Sequence, residues 1–392
     1  MSVVAGGAGG AVRGLHYDVA QRPFIVIWEA TRACPLACRH CRAVAVPTRD
    51  SRELTTVEAE DLLHQISGFG RPSPLVVITG GDPFQRPDLT QLVRYGTGLG
   101  LSVAVSPSGT PTLTEANLHA VYDAGAKAIS LSLDGSTPQI HDGFRGVPGV
   151  FDWTLRAWRT ARRLGLRVQI NTTVTGHDID DLADIAALVR AEGALLWSLF
   201  LLVPTGRGRQ LAPLAASEVE DVLNFGYDVG AILPTKATEA HHFRRVAIQR
   251  RVLADQGVDH ESVLGLGPHY RHLRERARQL GLDAGHRRPR RPPLDVNAGR
   301  GFVFVSHVGD VHPSGFLPLV AGNVRQASLP DIYRSSPLLT RLRDPDALTG
   351  RCGRCEFRSV CGGSRSRAYA VSGDPFAEEP WCGYQPGNFP LP

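Results

Sequence analysis

The first half of the sequence alternates short apolar, β-branched runs with longer amphipathic stretches. Six runs predict strands: 24–28, 75–79, 101–105, 128–133, 167–173 and 195–203. Helices are predicted between them, near 55–67, 87–99, 113–124, 151–165 and 178–191, with Thr55 and Asp178 as caps. Strands that alternate with helices form parallel sheets with right-handed crossovers. The pattern therefore predicts an α/β fold, either an open doubly wound sheet or a partial barrel.

Small or polar residues follow every predicted strand. Parallel α/β proteins build their active sites from these carboxyl-end loops. The segments are the first cysteine group, Gly80–Pro83, Ser106–Gly109, Asp134–Gly135, Asn171 and Pro204–Gly208. For any single loop an ordinary turn is the simpler interpretation, but six together favour a ligand site.

All seven cysteines fall into two groups. Cys34, Cys38 and Cys41 follow the first strand with CxxxCxxC spacing, and the other four lie near the end: Cys352, Cys355, Cys361 and Cys382. An odd number in close spacing favours metal binding over a disulfide framework. Three thiolates leave one iron of a 4Fe–4S cluster open for a small molecule, although His40 could instead complete a zinc site. The second group fits a zinc ribbon or a fully ligated cluster.

The net charge of +5 is local. Residues 244–300 contain 13 arginines and six acidic residues, so the rest of the chain carries a net charge of −2. We interpret the run 285–293 (GHRRPRRPP) as a solvated loop, because its prolines exclude a regular helix. Tyr270 is the only aromatic residue of 244–300, which disfavours base stacking, so we do not expect a nucleic-acid partner.

The longest apolar stretch, 193–204, is shorter than the ~20 residues that a membrane span needs. The N-terminus also lacks a charged start followed by an apolar run, so we expect a cytoplasmic protein without membrane contacts. The predicted organisation has four parts, with a hairpin-like segment beginning at Gly301. These are a flexible tail (1–21), a core (22–230), a basic linker or substrate-region insertion (231–300) and a cysteine-rich domain (301–392).

Several motifs together resemble the radical S-adenosylmethionine (SAM) superfamily. They are WEATRACPLACRHC, ITGGDPFQRPDL, SLDG and FRG. The tail CGRCEFRSVCGGSRSRAYA, with the distant Cys382, resembles a SPASM or twitch extension, and the resemblance covers residues 22–386. This tail is most similar to enzymes of alternative haem and haem d1 synthesis, which remove or trim propionates of an iron porphyrin or a sirohaem-derived precursor. The resemblance implies a partial (β/α)6 barrel with a small C-terminal domain.

The resemblance also implies cofactors and their ligands. Cys34, Cys38 and Cys41 would hold the 4Fe–4S cluster that binds SAM, and an external donor such as flavodoxin or ferredoxin would supply the electron. Reductive cleavage of SAM then yields a 5′-deoxyadenosyl radical that abstracts hydrogen from the substrate. The implied SAM contacts are Gly80, Gly81 and Asp82 for the amine, Arg145 for the carboxylate, and Ser108, Ser132 and Asn171 for the ribose.

Two positions depart from the family pattern. Asp82 stands where the family has glutamate, and Ser314 stands where a full SPASM domain supplies a further cysteine. We therefore expect one auxiliary 4Fe–4S cluster rather than two, with an electron-transfer role. Its expected ligands are Cys352, Cys355, Cys361 and Cys382.

The segment 234–246 is the candidate substrate region. Its charged and polar residues suit a carboxylated small molecule or tetrapyrrole, although such a helix is equally typical of a solvated face. These residues are Lys236, Glu239, His241, His242, Arg244 and Arg245. His241 or His242 could ligate a haem iron.

Three other functions remain open from the sequence. The chain could mature a ribosomally made peptide, with a partner protein supplying the peptide-binding domain. It could modify or bind RNA through residues 244–300, or serve as a zinc scaffold.

Overall fold

Ten strands form one mixed sheet. The structure is a computed structural model that describes residues 18–283 and 296–389. The strands are β1 (Ile25–Thr31), β2 (Leu75–Gly80), β3 (Ser102–Val105), β4 (Ala128–Ser132), β5 (Arg167–Val174), β6 (Leu196–Leu201), β7 (Thr235–Thr238), β8 (Phe302–Val305), β9 (Asp310–His312) and β10 (Gly322–Asn323). Their order is β10-β9-β8-β1-β2-β3-β4-β5-β6-β7. Strands β1 to β8 pair in parallel, whereas β9 and β10 pair antiparallel.

Helices connect and cover the strands. In the described part of the chain they are α1 (Thr56–Ser67), α2 (Leu89–Gly98), α3 (Glu115–Asp123), α4 (Pro138–Arg145), α5 (Val150–Arg163), α6 (Leu182–Ala191), α7 (Ala216–Val229), α8 (Phe243–Asp255), α9 (His260–Leu264), α10 (Pro268–Gln279), α11 (Leu329–Ser335), α12 (Pro337–Arg343), α13 (Gly350–Arg354) and α14 (Arg365–Ser372). Short 3-10 helices occupy Pro83–Gln85, Ile179–Asp181, Gly206–Gln210 and Pro345–Ala347.

The six predicted strands are confirmed as β1 to β6, and the five predicted helices as α1, α2, α3, α5 and α6. Thr55 caps α1 through a reciprocal pair of hydrogen bonds with Glu58. Asp178, in contrast, does not cap a helix with its side chain. Its carboxylate accepts from the backbone N–H of Thr175 at 2.7 Å, so it closes a turn before α6 instead.

The two faces of the sheet have different environments. Successive side chains of a strand point to opposite faces. In β1, Val26 and Trp28 are fully buried in the core beneath the helices, whereas Ile25 and Ile27 are half-buried on the other face. We call this second face the inner face, because it is the one that a partial barrel encloses.

The strand–helix rhythm continues beyond residue 230, where the sequence analysis expects it to break. Strand β7 lies within the predicted insertion and adds a seventh parallel strand beside β6. Strand β8 then pairs in parallel with β1. The predicted hairpin is confirmed, since β8 and β9 are antiparallel neighbours.

Arginines of α8 and α10 pair with acidic residues of α6 and α7. Arg276 lies 2.6 Å from Asp184, and Arg250 lies 2.5 Å from Asp228. Much of the local positive charge is therefore compensated within the fold. The predicted loop 285–293 lies outside the described residues.

The described end of the N-terminal segment is attached to the C-terminal part of the chain. The hydroxyl of Tyr333 in α11 donates to the carbonyl of Val19 at 2.6 Å, and Arg343 in α12 donates to that of Ala20. Residues 1–17 of the predicted tail lie outside the described residues. Among the described helices, none is long and apolar enough to cross a membrane.

Candidate functional site

The first cysteine group lies in residues 32–46, which follow β1 and which we call the cysteine loop. A Cβ on Gly81 would lie 2.5 Å from the carbonyl oxygen of Ala33, and one on Gly206 would lie 2.4 Å from that of Cys41. No larger residue fits at these distances. Glycine therefore lets the loops after β2 and β6 touch the cysteine loop backbone to backbone.

The thiols of the cysteine loop are free and largely buried. Burial raises the pKa of Cys34 to about 11, so this sulfur needs a compensating cation to be a thiolate. One guanidinium nitrogen of Arg145 lies 3.7 Å from Cys38 Sγ. In the described ranges no three His, Cys, Asp or Glu side chains gather closely enough for a single metal ion. A four-iron cluster instead takes each thiolate on a separate iron.

Asp82 is fully buried and already bonded. Its carboxylate accepts from the hydroxyls of Thr110 and Thr112, both at 2.9 Å, and its backbone N–H donates to the carbonyl of Ala33 at 2.8 Å. Both hydroxyls donate to the same oxygen, Oδ2, and the contact of this carboxylate with the SAM amine stays a prediction. In this structure Asp82 joins the loop after β3 to the cysteine loop.

Ser108 links the same two elements. Its hydroxyl donates to the carbonyl of Gly81 at 2.7 Å and lies 3.6 Å from Cys34 Sγ. The serine predicted as a ribose contact thus lies at the cysteine loop, beside the glycines predicted for the amine.

Arg145 is buried between the cysteine loop and the SLDG motif. Besides approaching Cys38, its guanidinium forms an ion pair with Asp134. Asp134 in turn accepts from the backbone N–H of Thr173 at 2.7 Å. Burial alone would raise the pKa of Asp134, but Arg145 outweighs it and holds that pKa below its usual value. The predicted pairing of Arg145 with the SAM carboxylate therefore competes with an internal partner.

The second cysteine group surrounds one cavity. All four thiols line it, and His242, Arg245 and Gly363 line it with them. Gly363 has φ +61, and a Cβ there would lie 2.7 Å from the Cβ of Glu379. Burial raises the pKa of Cys361 to about 12. These thiols, like those of the cysteine loop, require positive charge to ionise.

The surroundings of His242 indicate which group the cavity can hold. The residue is fully buried, and neither ring nitrogen has a hydrogen-bond partner in the described structure. An unpartnered buried polar group is costly. The sulfur atoms of a bound cluster would accept the missing hydrogen bond, and Arg245, 4.0 Å from Cys382 Sγ, adds a cation. The cavity therefore fits a four-thiolate iron–sulfur cluster.

Two residues of the predicted substrate segment, His242 and Arg245, line this cavity. Arg244 donates to the carbonyl of Val360 at 2.9 Å, between two of the cysteines. Arg245 pairs with Glu220 at 2.5 Å, and His241 is flanked by Arg244. Sequence reasoning assigned His242, Arg244 and Arg245 to substrate, whereas the structure packs them against the second cysteine group.

Comparisons with known proteins identify the family. Residues 28–189 match the Radical SAM superfamily. The AdoMet-dependent heme synthase of Oleidesulfovibrio alaskensis is 40% identical over 370 residues, which cover 93% of this chain and 88% of that protein. The chain belongs to the radical SAM superfamily. The AdoMet-dependent heme synthase of Nitratidesulfovibrio vulgaris is 39% identical, with 92% of each chain covered. The mycofactocin maturase MftC of Mycobacterium ulcerans is 30% identical, covering 92% and 88%.

A solved radical SAM structure has the same fold. Streptococcus suis SuiB bound to S-adenosylmethionine superposes with a TM-score of 0.67 at 14% identity, covering 93% of this chain and 78% of that one. The predicted partial barrel is thus confirmed. As a member of the radical SAM superfamily, the chain described here binds SAM and a 4Fe–4S cluster. When bound, the cluster would pass one electron to SAM, which would split into methionine and a 5′-deoxyadenosyl radical that abstracts hydrogen from the substrate.

Polar residues form a row across the inner face of the radical SAM barrel. Ser132 in β4 lies opposite Asn171 in β5, which lies opposite Ser198 in β6, which lies opposite Lys236 in β7. Opposed residues of neighbouring strands share a face. The row therefore places the predicted ribose contacts Ser132 and Asn171 on the surface that also carries Lys236.

Glu239, at the end of β7, connects the barrel to the C-terminal domain. Its carboxylate accepts from the hydroxyls of Ser314 at 3.0 Å, Ser364 at 2.5 Å and Ser366 at 3.1 Å. These bonds satisfy the buried carboxylate within the fold, so Glu239 connects β7 to the C-terminal domain, and its substrate contact stays a prediction. Ser314, at the position of the missing cysteine, is one of its donors.

Arg367 continues this connection. Its side chain is fully buried and makes five hydrogen bonds. Three go to the backbone carbonyls of Leu201, Leu202 and Glu239, and two go to the carboxylate of Glu379, each at 3.1 Å. Arg367, the second arginine of the RSRAYA motif, therefore fixes the second cysteine group against the carboxyl end of β6.

Sequence reasoning missed an aromatic cluster on the inner face. We define it as Phe200, Phe304, His312 and Phe316. The rings of Phe200 and Phe316 are 5.2 Å apart, and those of Phe304 and His312 are 6.1 Å apart. Arg42 of the cysteine loop joins the two pairs, since its guanidinium carbon lies 4.8 Å from the Phe304 ring and 5.8 Å from the Phe316 ring.

Arg42 is held in place by an ion pair at the end of β1. Glu29 lies 2.5 Å from Arg42 and 3.0 Å from His307 Nδ1. Burial raises the pKa of Glu29, but Arg42 and His307 outweigh it, and the pKa falls to about 2. No local motif marked these residues, because they come together only when β1 and β8 pair.

Proposed function

We propose that this radical SAM enzyme acts on the propionate side chains of an iron tetrapyrrole. The observation that carries the proposal is the 40% identity to an AdoMet-dependent heme synthase over nearly the whole of both chains. Conversion of a propionate to a vinyl group releases CO2 and two hydrogen atoms. One hydrogen atom goes to the deoxyadenosyl radical, and the remaining proton and electron need acceptors.

The cysteine loop and its neighbours supply the SAM site in this proposal. Cys34, Cys38 and Cys41 hold the cluster, and the backbone carbonyls of Gly80 and Gly81 face the SAM amine. Asp82 and Arg145 act indirectly, because their charged groups already fix the loops around the cysteines. The polar row of Ser132 and Asn171 faces the ribose, with Ser108 at its entrance.

One auxiliary 4Fe–4S cluster is proposed for the second cysteine group. The four thiols around one cavity and the unpartnered nitrogens of His242 support this assignment. Ser314 cannot act as a thiolate ligand, and its hydroxyl is bonded to Glu239. The chain would therefore hold a single auxiliary cluster that accepts the electron left by decarboxylation. A cytoplasmic flavodoxin or ferredoxin would donate the electron that starts the reaction.

Lys236 is the proposed contact for a substrate carboxylate. It lies in register with Asn171 and Ser198 on the inner face, within the barrel rather than on the wall of the auxiliary cavity. A lysine at this position would attract a propionate towards the radical.

The decisive experiment is anaerobic incubation of the reconstituted enzyme with SAM, dithionite and iron coproporphyrin. We expect 5′-deoxyadenosine and a porphyrin lighter by the mass of CO2 and two hydrogen atoms. The Cys34→Ala variant should produce neither, and Lys236→Met should form less product at the same porphyrin concentration. Deoxyadenosine without any change in the porphyrin would refute the substrate assignment.

Peptide maturation is the second candidate, favoured by the 30% identity to MftC over 92% of this chain. Incubation with a precursor peptide under the same conditions distinguishes the two. A mass change in the peptide, with the porphyrin unchanged, would select this alternative.

A further inference from the structure

His312 stands out among the histidines near the inner face. It is the last residue of β9 and lies opposite Phe304, so its ring belongs to the aromatic cluster. Its Nδ1 lies 3.1 Å from the carbonyl oxygen of Leu319. A carbonyl only accepts, so Nδ1 carries the proton and Nε2 keeps its lone pair.

The Nε2 atom of His312 has no hydrogen-bond partner among the described residues, and it is not buried. Burial of the ring lowers the pKa of His312, which favours the neutral imidazole. A histidine whose Nδ1–H is held by a carbonyl while Nε2 stays open has the arrangement that metal-ligating histidines adopt. The hydrogen bond to Leu319 therefore orients the ring and leaves Nε2 able to coordinate a metal ion.

The other histidines around the barrel are committed elsewhere. His307 lies between Glu29 and Asp50, and His141 accepts a hydrogen bond from the backbone N–H of Asp134 at 2.9 Å. His40 is buried with its ring stacked on Phe144. Of the two histidines predicted as haem ligands, His242 lines the auxiliary cavity and His241 lies beside Arg244.

The surroundings of His312 suit a flat, apolar macrocycle. Phe200 and Phe316 are half-buried and present ring surface on the inner face. Arg42 connects the cluster to Cys41, its neighbour in sequence, so a ligand stacked here would lie beside the cysteine loop. The Arg42 charge is balanced by Glu29.

We propose that Nε2 of His312 coordinates the iron of the substrate tetrapyrrole, with Phe200 and Phe316 packing on the macrocycle. This inference rests on the proposed function, and it deepens it. Coordination would select the iron-loaded tetrapyrrole over the metal-free one and fix which edge of the macrocycle faces the SAM site.

The test is an anaerobic titration of the holoenzyme with ferric iron coproporphyrin, followed by absorption and electron paramagnetic resonance spectra. The wild type should show histidine-ligated iron. In His312→Ala we expect that signature to disappear, the affinity to fall by about tenfold or more, and added imidazole to restore the signature. His272→Ala, an exposed histidine of α10, is the matched control and should behave as wild type.

Two further measurements keep the inference falsifiable. His312→Tyr should replace the histidine signature with that of a phenolate-ligated ferric iron, which shows that the fold and the site persist. Metal-free coproporphyrin should bind the wild type and His312→Ala equally. An unchanged iron spectrum in His312→Ala would overturn the assignment. Failure of the wild type to bind either porphyrin would overturn the proposed function, and the inference with it.

Discussion

Replacing Arg367 with methionine tests how the C-terminal domain is held on the barrel. The guanidinium uses all five N–H groups, two of them on Glu379, and the pair has side-chain exposures of 0% and 1%. Methionine keeps much of the apolar volume against Trp381, over which the guanidinium carbon lies at 4.3 Å. The variant therefore removes the charge and the hydrogen bonds while largely preserving the packing.

The expected cost follows from the charge left behind. Removing one partner of a buried ion pair typically costs about 3–5 kcal/mol, because the other charge stays buried and uncompensated. At about 2–4 °C per kcal/mol, Arg367→Met should lower the Tm by about 6 °C or more. Thermal unfolding followed by circular dichroism under anaerobic conditions measures the shift.

Two further variants separate this reasoning from general damage. Arg278→Met removes an exposed arginine paired with Glu275 and should change stability by about 1 kcal/mol or less. The double variant Arg367→Met/Glu379→Gln should recover part of the loss, since the unpaired charge is then gone. A Tm for Arg367→Met within 2 °C of the control variant, or a double variant less stable than the single one, would refute the argument.

Three other variants probe the cysteine sites and their surroundings. Gly206→Ala would place a Cβ 2.4 Å from the Cys41 carbonyl oxygen, so we expect loss of iron from the first cluster, measured by iron and sulfide content; full occupancy would contradict this. His242→Phe should lower the midpoint potential of the auxiliary cluster, because an N–H donor to sulfur is lost; an unchanged redox titration would count against that donor. Burial lowers the pKa of His141 to about 4, so wild-type stability should fall by up to about 1.4 kcal/mol per pH unit between pH ~6.5 and 4, and His141→Gln should flatten this slope in pH-dependent melts.

The fold was predictable where local pattern determines structure. Six apolar runs became β1 to β6, because each is long enough to cross the sheet and is bounded by helices that fix its direction. Strand β7 escaped prediction, because its four residues (TKAT) carry one lysine and no β-branched run. The parallel pairing of β8 with β1 joins residues about 280 positions apart, and no local signal encodes it.

The cysteine partition was predictable for a similar reason. Ligand spacing along the chain is local, so the two groups could be separated from the sequence alone. The burial and the ion-pair partners of the charged residues around the cysteines could not be predicted, because both depend on tertiary structure. The HHFRR segment has the composition of a solvated helix end, yet Arg245 is only 3% exposed and pairs with Glu220 against a cysteine cavity.

Ser314 shows how one substitution links the number of clusters to the assembly of the domains. A cysteine at this position would leave Glu239 with one hydrogen-bond donor fewer. The hydroxyl instead donates to Glu239, whose backbone carbonyl accepts from Arg367 at 2.8 Å, and Arg367 reaches Glu379 on the auxiliary cavity. Ser314 thus reinforces the connection between β7 and the second cysteine group. Restoring the ligand alone, as in Ser314→Cys, should therefore weaken that connection without creating a cluster site.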